Sequence, residues 1–241
     1  MSERTTTAAV TRRSGAGSIV FAAFLALLLA LGFFACPKVW ADLPSYDEIA
    51  VGDTVTFGRF EQDNNEDNGP EPIAWRVLDK EDGKVLIITD KALEMMPFFA
   101  IYWKHSSIGG YINSSFLADF TAEEKDMLVK TLITSDKHPD KPETDQGSET
   151  ENKLFLLSVD EAKKYFADDK DRICYASKFV IEYEGLKAQS DSRCDWWLRT
   201  AYDNWSNGAL IANVDPNGYI NVSSHRARLG LRPACWVQLA E

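Results

Sequence analysis

Catalytic signatures are missing from this chain. Its 241 residues contain no HExxH, no GxSxG and no glycine-rich phosphate loop. Its three histidines, His105, His138 and His225, are scattered, and no pair of its many carboxylates stands out as an acid and a base. An enzyme is therefore not the expectation. No segment recurs with a period of 20–50 residues, which excludes a solenoid or propeller. Positive charge is also scarce. Residues 1–41 hold four basic residues (Arg4, Arg12, Arg13, Lys38) and one acid (Glu3), so the remaining 200 residues carry 22 Lys+Arg against 36 Asp+Glu, a net charge of −14. Such a surface repels nucleic acid and anionic lipid, and no nucleic-acid partner is expected.

Charge of either sign is absent between Arg13 and Lys38, where an apolar run extends from Ile19 to Cys36. Arginines before it and Val39-Trp40-Ala41 after it read as a secretory signal peptide cut after Ala41. The run also has the length of an uncleaved membrane anchor. Ala35-Cys36 as a lipoprotein site and Arg12-Arg13 as a twin-arginine signal fit less well, because Phe33-Phe34 and Ser14-Gly15-Ala16 stand where each needs other residues. Every version places residues 42–241 outside the cytoplasm as one domain, touching a membrane only through the N-terminal segment. Three cysteines remain in that domain. Because Cys235 sits in the apolar run Ala234–Val237, a Cys174–Cys194 bridge is the expected pairing, with three reduced thiols as the alternative, since spacing alone does not fix pairing.

Local patterning orders the domain as strands, helices, then a meander. Thr54–Phe60 alternates, and Ile73–Lys80 and Lys84–Asp90 flank an Asp82-Gly83 hairpin turn. Helices are expected over 106–120 and over 121–133, the latter opened by a Thr121/Glu124 capping box. Ser158/Glu161 repeats that device at 158–168, after the strand-like Leu154–Leu157. Residues 135–152 form a long charged loop. From Cys194 onward the chain reads as short strands, with a turn at Asp215-Pro216-Asn217-Gly218. This is an α+β order with antiparallel sheets and two or three helices.

"WWLRT" at 196–200, some thirty turn-rich residues, and "GLRPACW" at 230–236 resemble the ending of a bacterial extracytoplasmic family of unknown function whose members close with WWLRS and GVRPAL. The resemblance runs back through "WKHSSIGGYINSSFLADFTAEEKDML" and "KLFLLSVDEAKKYF" to "VGDTVTFGRF", nearly the whole of residues 42–241. It implies a C-type-lectin-like fold, also found in formylglycine-generating enzymes and variable receptor-binding proteins, and it supports the Cys174–Cys194 pairing. Two departures stand out. Gly109 and Tyr111 occupy positions where the family has arginine and tryptophan, implying a looser first helix, and Thr200-Ala201-Tyr202 replaces a serine-proline-glycine.

Fold does not carry function, so the sites are read on their own. Asp63, Asn65 and Asp67 offer oxygen ligands at alternate positions, as calcium loops do, but Asn68 and Ala74 stand where such a loop needs glycine and a bidentate glutamate. Calcium is the one cofactor considered, and an ordinary Asx-rich loop is favoured over it. The aromatic and amide residues of the C-terminal turns suit stacking on and bonding to a sugar: Tyr202, Asp203, Asn204, Trp205, Asn213, Asp215, Asn217, Tyr219 and, from the basic island 225–228, Arg226. Trp75, Trp236 and one of Trp196 and Trp197 are expected in the core. The expectation is a non-catalytic binding module for a surface ligand, glycan or protein; the alternative is a protein-contact or structural domain without a small-molecule site.

Overall fold

A computed structural model describes residues 43–134, 136–182, 191–205 and 208–239, with the side chains of 204 and 205 left aside. The N-terminal segment, read above as signal or anchor, lies outside the described residues. No helix among the described residues is long and apolar enough to cross a membrane.

The architecture is α+β and rich in antiparallel strands. One five-stranded sheet is built from β1 (Thr54–Phe60), β2 (Glu71–Glu81), β3 (Lys84–Thr89), β14 (Ala234–Gln238) and β8 (Leu154–Phe155), in that order. The β2–β3 connection is the Asp82-Gly83 turn. Both residues have positive φ (48° and 75°), the type I′ geometry that matches strand twist. The last strand lies inside this sheet, between β3 and β8, pairing Cys235 with Ile87 and Leu154.

The second sheet has the order β12 (Ile220–Ser224), β11 (Gly208–Val214), β10 (Trp196–Trp205), β13 (Leu229–Leu231), β5 (Glu94–Met96). Two small ladders complete the set, β4 (Lys91–Ala92) with β9 (Tyr175–Ala176) and β6 (Thr131–Ile133) with β7 (Thr150–Asn152).

Four short α-helices occur among the described residues: α1 (Ser107–Ile112), α2 (Ala122–Met127), α3 (Val159–Tyr165) and α4 (Lys178–Glu182). Both capping boxes form. Thr121 accepts from the Glu124 N–H (3.1 Å) while Glu124 accepts from Thr121 (2.8 Å), and Ser158 with Glu161 does the same.

Two helix expectations are corrected. The segment 121–133 leaves helix at Leu128, which turns extended (φ −69°, ψ 118°), is buried and bridges to Val237. Its later apolar residues serve strand pairing in β6, where β-branched Thr131 and Ile133 fit. The segment 106–120 breaks after Ile112 into a 3₁₀ turn at Ser115–Leu117. Gly109 does not loosen α1: a Cβ there would come within 3.0 Å of Ser106 Oγ and 3.3 Å of the Trp103 carbonyl, so glycine lets the helix start sit directly on Trp103.

Trp75 is fully buried and donates to the Phe57 carbonyl (2.6 Å), whereas Trp236 is only part-buried, with Lys84 over its ring. Adjacent Trp196 and Trp197 point to opposite faces of β10, yet both are completely buried, because the base of this sheet is covered on both sides. Trp196 packs on Phe166 and donates to the Arg172 carbonyl (2.9 Å). Trp197 packs on Phe98 and donates to Met96 (2.7 Å).

The arginines of the two resembling motifs are buried clamps. Arg199 pairs in bidentate fashion with Glu161 and also donates to the Thr134 and Leu156 carbonyls, tying β10 to the start of α3. Arg232 donates to Thr89 (2.7 Å) with its guanidinium 4.9 Å from the Trp196 ring and 5.4 Å from Phe166.

Candidate functional site

The β11–β12 connection starts from Asp215-Pro216-Asn217-Gly218. Gly218 N–H closes the turn on the Asp215 carbonyl (2.9 Å), and Asp215 Oδ1 accepts from the N–H groups of Asn217 (2.8 Å) and Tyr219 (3.0 Å). Gly218 has φ +89°, and its Cα faces the chain at Asp169 so closely that a Cβ would overlap the Asp169 carbonyl oxygen at 1.7 Å. Arg172, nine-tenths buried, fixes this approach: Nε donates to the Gly218 carbonyl (2.9 Å), Nη1 to Phe166 (3.2 Å), and Nη2 pairs with Asp169.

The turn and the facing segment border an open cleft with a cavity volume of about 440 Å³, lined by Ala167, Asp168, Asp169, Lys170, Arg172, Asn217 and Tyr219. This volume lies within the range of small-molecule sites. Tyr219 is 57% exposed at its edge. Beneath the turn, fully buried Asn213 donates to Asp195 Oδ1 (3.2 Å). Burial, with the Asp215 charge adding to it, raises the Asp195 carboxyl above the usual carboxylate range.

Asn213, Asp215, Asn217 and Tyr219 thus converge at one end of the second sheet. The other expected residues do not join them. Tyr202 and Asp203 belong to β10 itself rather than to a turn, and Asp203 pairs with Leu210, at the far end of β11 from Val214. Four strand residues on, with the added bulges of β10, that end is on the order of 15 Å away.

Tyr202 and Asp203 lie under the loop 136–149. The Gln146 side chain donates to the Ala201 carbonyl (2.9 Å) and accepts its N–H (2.8 Å), standing in for a strand partner. Thr144 donates to the Tyr202 carbonyl (2.8 Å), and His138 meets the Tyr202 ring edge-on at 4.8 Å. Burial lowers the His138 imidazole below its ordinary range. Asn204 and Trp205 share this strand end, and their side chains lie outside the described residues. Arg226 is exposed on the crossover after β12.

The acidic loop also assembles differently from the alternate-position pattern. Asp63 converges with Glu61 and Glu71, with one carboxylate oxygen from each within 4.8 Å of the others, while Asn65 and Asp67 are exposed. Glu71 arrives because it pairs with Phe60 across β1–β2. The set has the hard-oxygen chemistry of a calcium site. Two of its carboxylates already serve backbone donors, Glu61 accepting from Asp63 and Asn65 (both 3.1 Å) and Glu71 from Gln62 (2.7 Å), while Asp63 Oδ2 accepts from the Asn68 amide (3.0 Å) and its buried Oδ1 has no partner among the described residues.

The three cysteines of the domain are thiols in this structure, all buried. Cys174 and Cys194 are neighbours: the Cys194 N–H donates to the Cys174 carbonyl (3.0 Å), and the adjacent Cys174 thiol together with burial pushes the Cys194 thiol up. Burial alone pushes the Cys235 thiol up, away from the ionisable state a nucleophile needs.

Neither the wall formed by 167–172 nor Arg193 was among the residues expected at the site. Arg193 donates to Asn217 Oδ1 (3.2 Å) and the Pro216 carbonyl (3.4 Å) while pairing with Asp191. The one available signal was the strongly polar run Asp168–Arg172 directly after α3.

Fold and site together define an α+β domain with a polar, aromatic-edged cavity at the end of its second sheet. The chain belongs to the family described as domain of unknown function DUF6273, whose model matches residues 82–239. No curated protein and no solved structure matches it.

Proposed function

We propose that the domain is a non-catalytic ligand-binding module of C-type-lectin-like architecture working outside the cytoplasm. Its ligand is an uncharged, hydroxyl-rich molecule of the carbohydrate class. The cavity between the 215–219 turn and residues 167–172 carries this reading. An exposed tyrosine ring, an amide held in place by Arg193, and carboxylate and ammonium groups face one space of ligand size. An aromatic face covers the C–H side of a sugar, and the amide and charged groups reach its hydroxyls.

A binding role is favoured because, of the two carboxylates lining the cavity, Asp169 is held in an ion pair by Arg172, which leaves Asp168 without a second free carboxylate in the lining to act as its acid or base partner. The apolar N-terminal run after Arg12-Arg13 supports the location. The architecture is supported by the C-terminal strand returning beside β3 while the meander before it forms a second sheet.

The test is a glycan array in calcium and in chelator, with the intact protein and Tyr219→Ala side by side. Binding that Tyr219→Ala abolishes supports the reading. An array with no binding, beside a pull-down that captures a protein partner, sinks it. That second outcome belongs to the protein-contact reading, which one observation favours. Phe99 is 62% exposed on a backbone of φ +52°, an unusual conformation for a bulky residue, and its N–H is pinned to the His225 carbonyl (2.9 Å).

A further inference from the structure

Three features of the surface beside the cavity bear on how much ligand it holds. The first is Tyr175, 48% exposed on β9. A single exposed aromatic is ordinary; its position is what matters. Tyr175 forms a cross-strand bridge with Arg193, and cross-strand partners carry their side chains on one face, a few ångströms apart.

The second is Arg193 itself. Its guanidinium is held on one side by Asp191 (Nε to Oδ2, 2.5 Å) and on the other by Asn217 and the Pro216 carbonyl through Nη1. Nε and Nη1 are fixed in this way, and Nη2 has no partner among the described residues. The third is charge. Arg193 is matched by Asp191, Arg172 by Asp169, and Lys170 lines the same cavity as Asp168, which leaves Asp215 as an unmatched charge beside it. The face therefore has hydrogen-bonding groups without a strong net field, which suits a neutral ligand.

We infer that the ligand face extends beyond the cavity, from Tyr219 through Asn217 and Arg193 to Tyr175, and that it takes a chain of at least two uncharged sugar rings. Tyr219 and Tyr175 are the two stacking platforms, and the fixed Arg193 fork bonds the hydroxyls between them. This rests on the carbohydrate reading of the cavity and adds its length and its second platform. A ligand confined to the cavity would leave Arg193 Nη2 and Tyr175 without a role in binding.

Neutral oligosaccharides of one to six rings from the cello-, malto-, manno- and chito- series, titrated calorimetrically into the protein, test it. Affinity rises about five- to tenfold from one ring to the length that reaches Tyr175. Tyr175→Ala removes that gain, and Tyr219→Ala weakens every length. Arg193→Met also flattens the dependence on length. Both tyrosines are exposed, and melting curves of each variant check that it folds. Affinity independent of length, or a Tyr175→Ala variant that binds every length like the parent, overturns the extended face and leaves the cavity reading standing. Absence of binding at any length overturns both.

Discussion

The carbonyl oxygen of Asp169 occupies the place where a side chain on Gly218 would begin. A Cβ there would lie 1.7 Å from it, and the same glycine has φ +89°. Two chain segments far apart in sequence are therefore in backbone contact at the cavity wall. Gly218→Ala is expected to cost roughly 2–5 kcal/mol, from the strained φ and the forced separation together. Gly52→Ala is the control: it has a similar φ of +96° with nothing within 4 Å, and should cost only about 1–2 kcal/mol. Urea unfolding of both variants checks this, and equal losses would mean that the contact contributes nothing.

Arg199 is a second point of strong dependence. It is 2% exposed at the side chain and serves Glu161 and two backbone carbonyls at once. Arg199→Met should lose about 3–5 kcal/mol, since it leaves the Glu161 carboxylate unpaired and the buried Leu156 carbonyl and the Thr134 carbonyl without their donor. Glu161→Gln keeps an oxygen acceptor for the buried guanidinium and leaves its bonds to the Thr134 and Leu156 carbonyls in place, so it should lose less, on the order of 1–2 kcal/mol. Denaturant midpoints give the order; a reversed order would refute the clamp.

The buried His138 sets the sign of an acid effect. Burial lowers its imidazole and Lys163 lowers it further, against the opposing pull of Asp140 and Asp160. As pH falls the unfolded chain takes up this proton first. The stability is therefore present above the ordinary histidine value of about 6.5 and is lost as pH drops toward the lower folded value. The urea midpoint should fall between pH 7.5 and pH 5, and by less in His138→Gln. Hydrogen exchange at 136–149 should rise over the same range, because that loop carries the histidine.

The neighbouring thiols of Cys174 and Cys194 should close under air oxidation. The expected observation is a mass lower by two hydrogens, with alkylation of the unfolded oxidised protein sparing both cysteines and labelling Cys235. Reduction should then cost about 3 kcal/mol of stability. Labelling of all three cysteines without reductant would rule the bridge out.

Legibility from sequence followed the range of the interactions. Asp82-Gly83, the Thr121 and Ser158 caps and the glycine of 215–218 were readable, because each turn or cap is decided by residues within four positions. The buried tryptophans of 196–197 were half readable: alternation predicts opposite faces, but not that the base of the sheet is covered on both. Contacts made across the fold were not readable. The 167–172 wall stands by the turn because Arg172 reaches Gly218 and Trp196 reaches Arg172. Gln146 imitates a strand with a side chain, and Glu71 joins Glu61 and Asp63 through β-pairing. The nine candidate residues are therefore split between the two ends of the second sheet and the crossover after β12. Sequence proximity in a meander says nothing about which end of a strand a turn occupies.

The seat of β14 between β3 and β8 has a consequence for synthesis. The hairpin of β2 and β3 is made early, but its open edge stays without its partner until almost the whole domain has been translated, and β8 has no other strand in that sheet to pair with. Folding is therefore expected to complete only after the final strand leaves the ribosome or the export channel. Until then the exposed β3 edge, Val85–Ile88, is the stretch on which a holding chaperone would act.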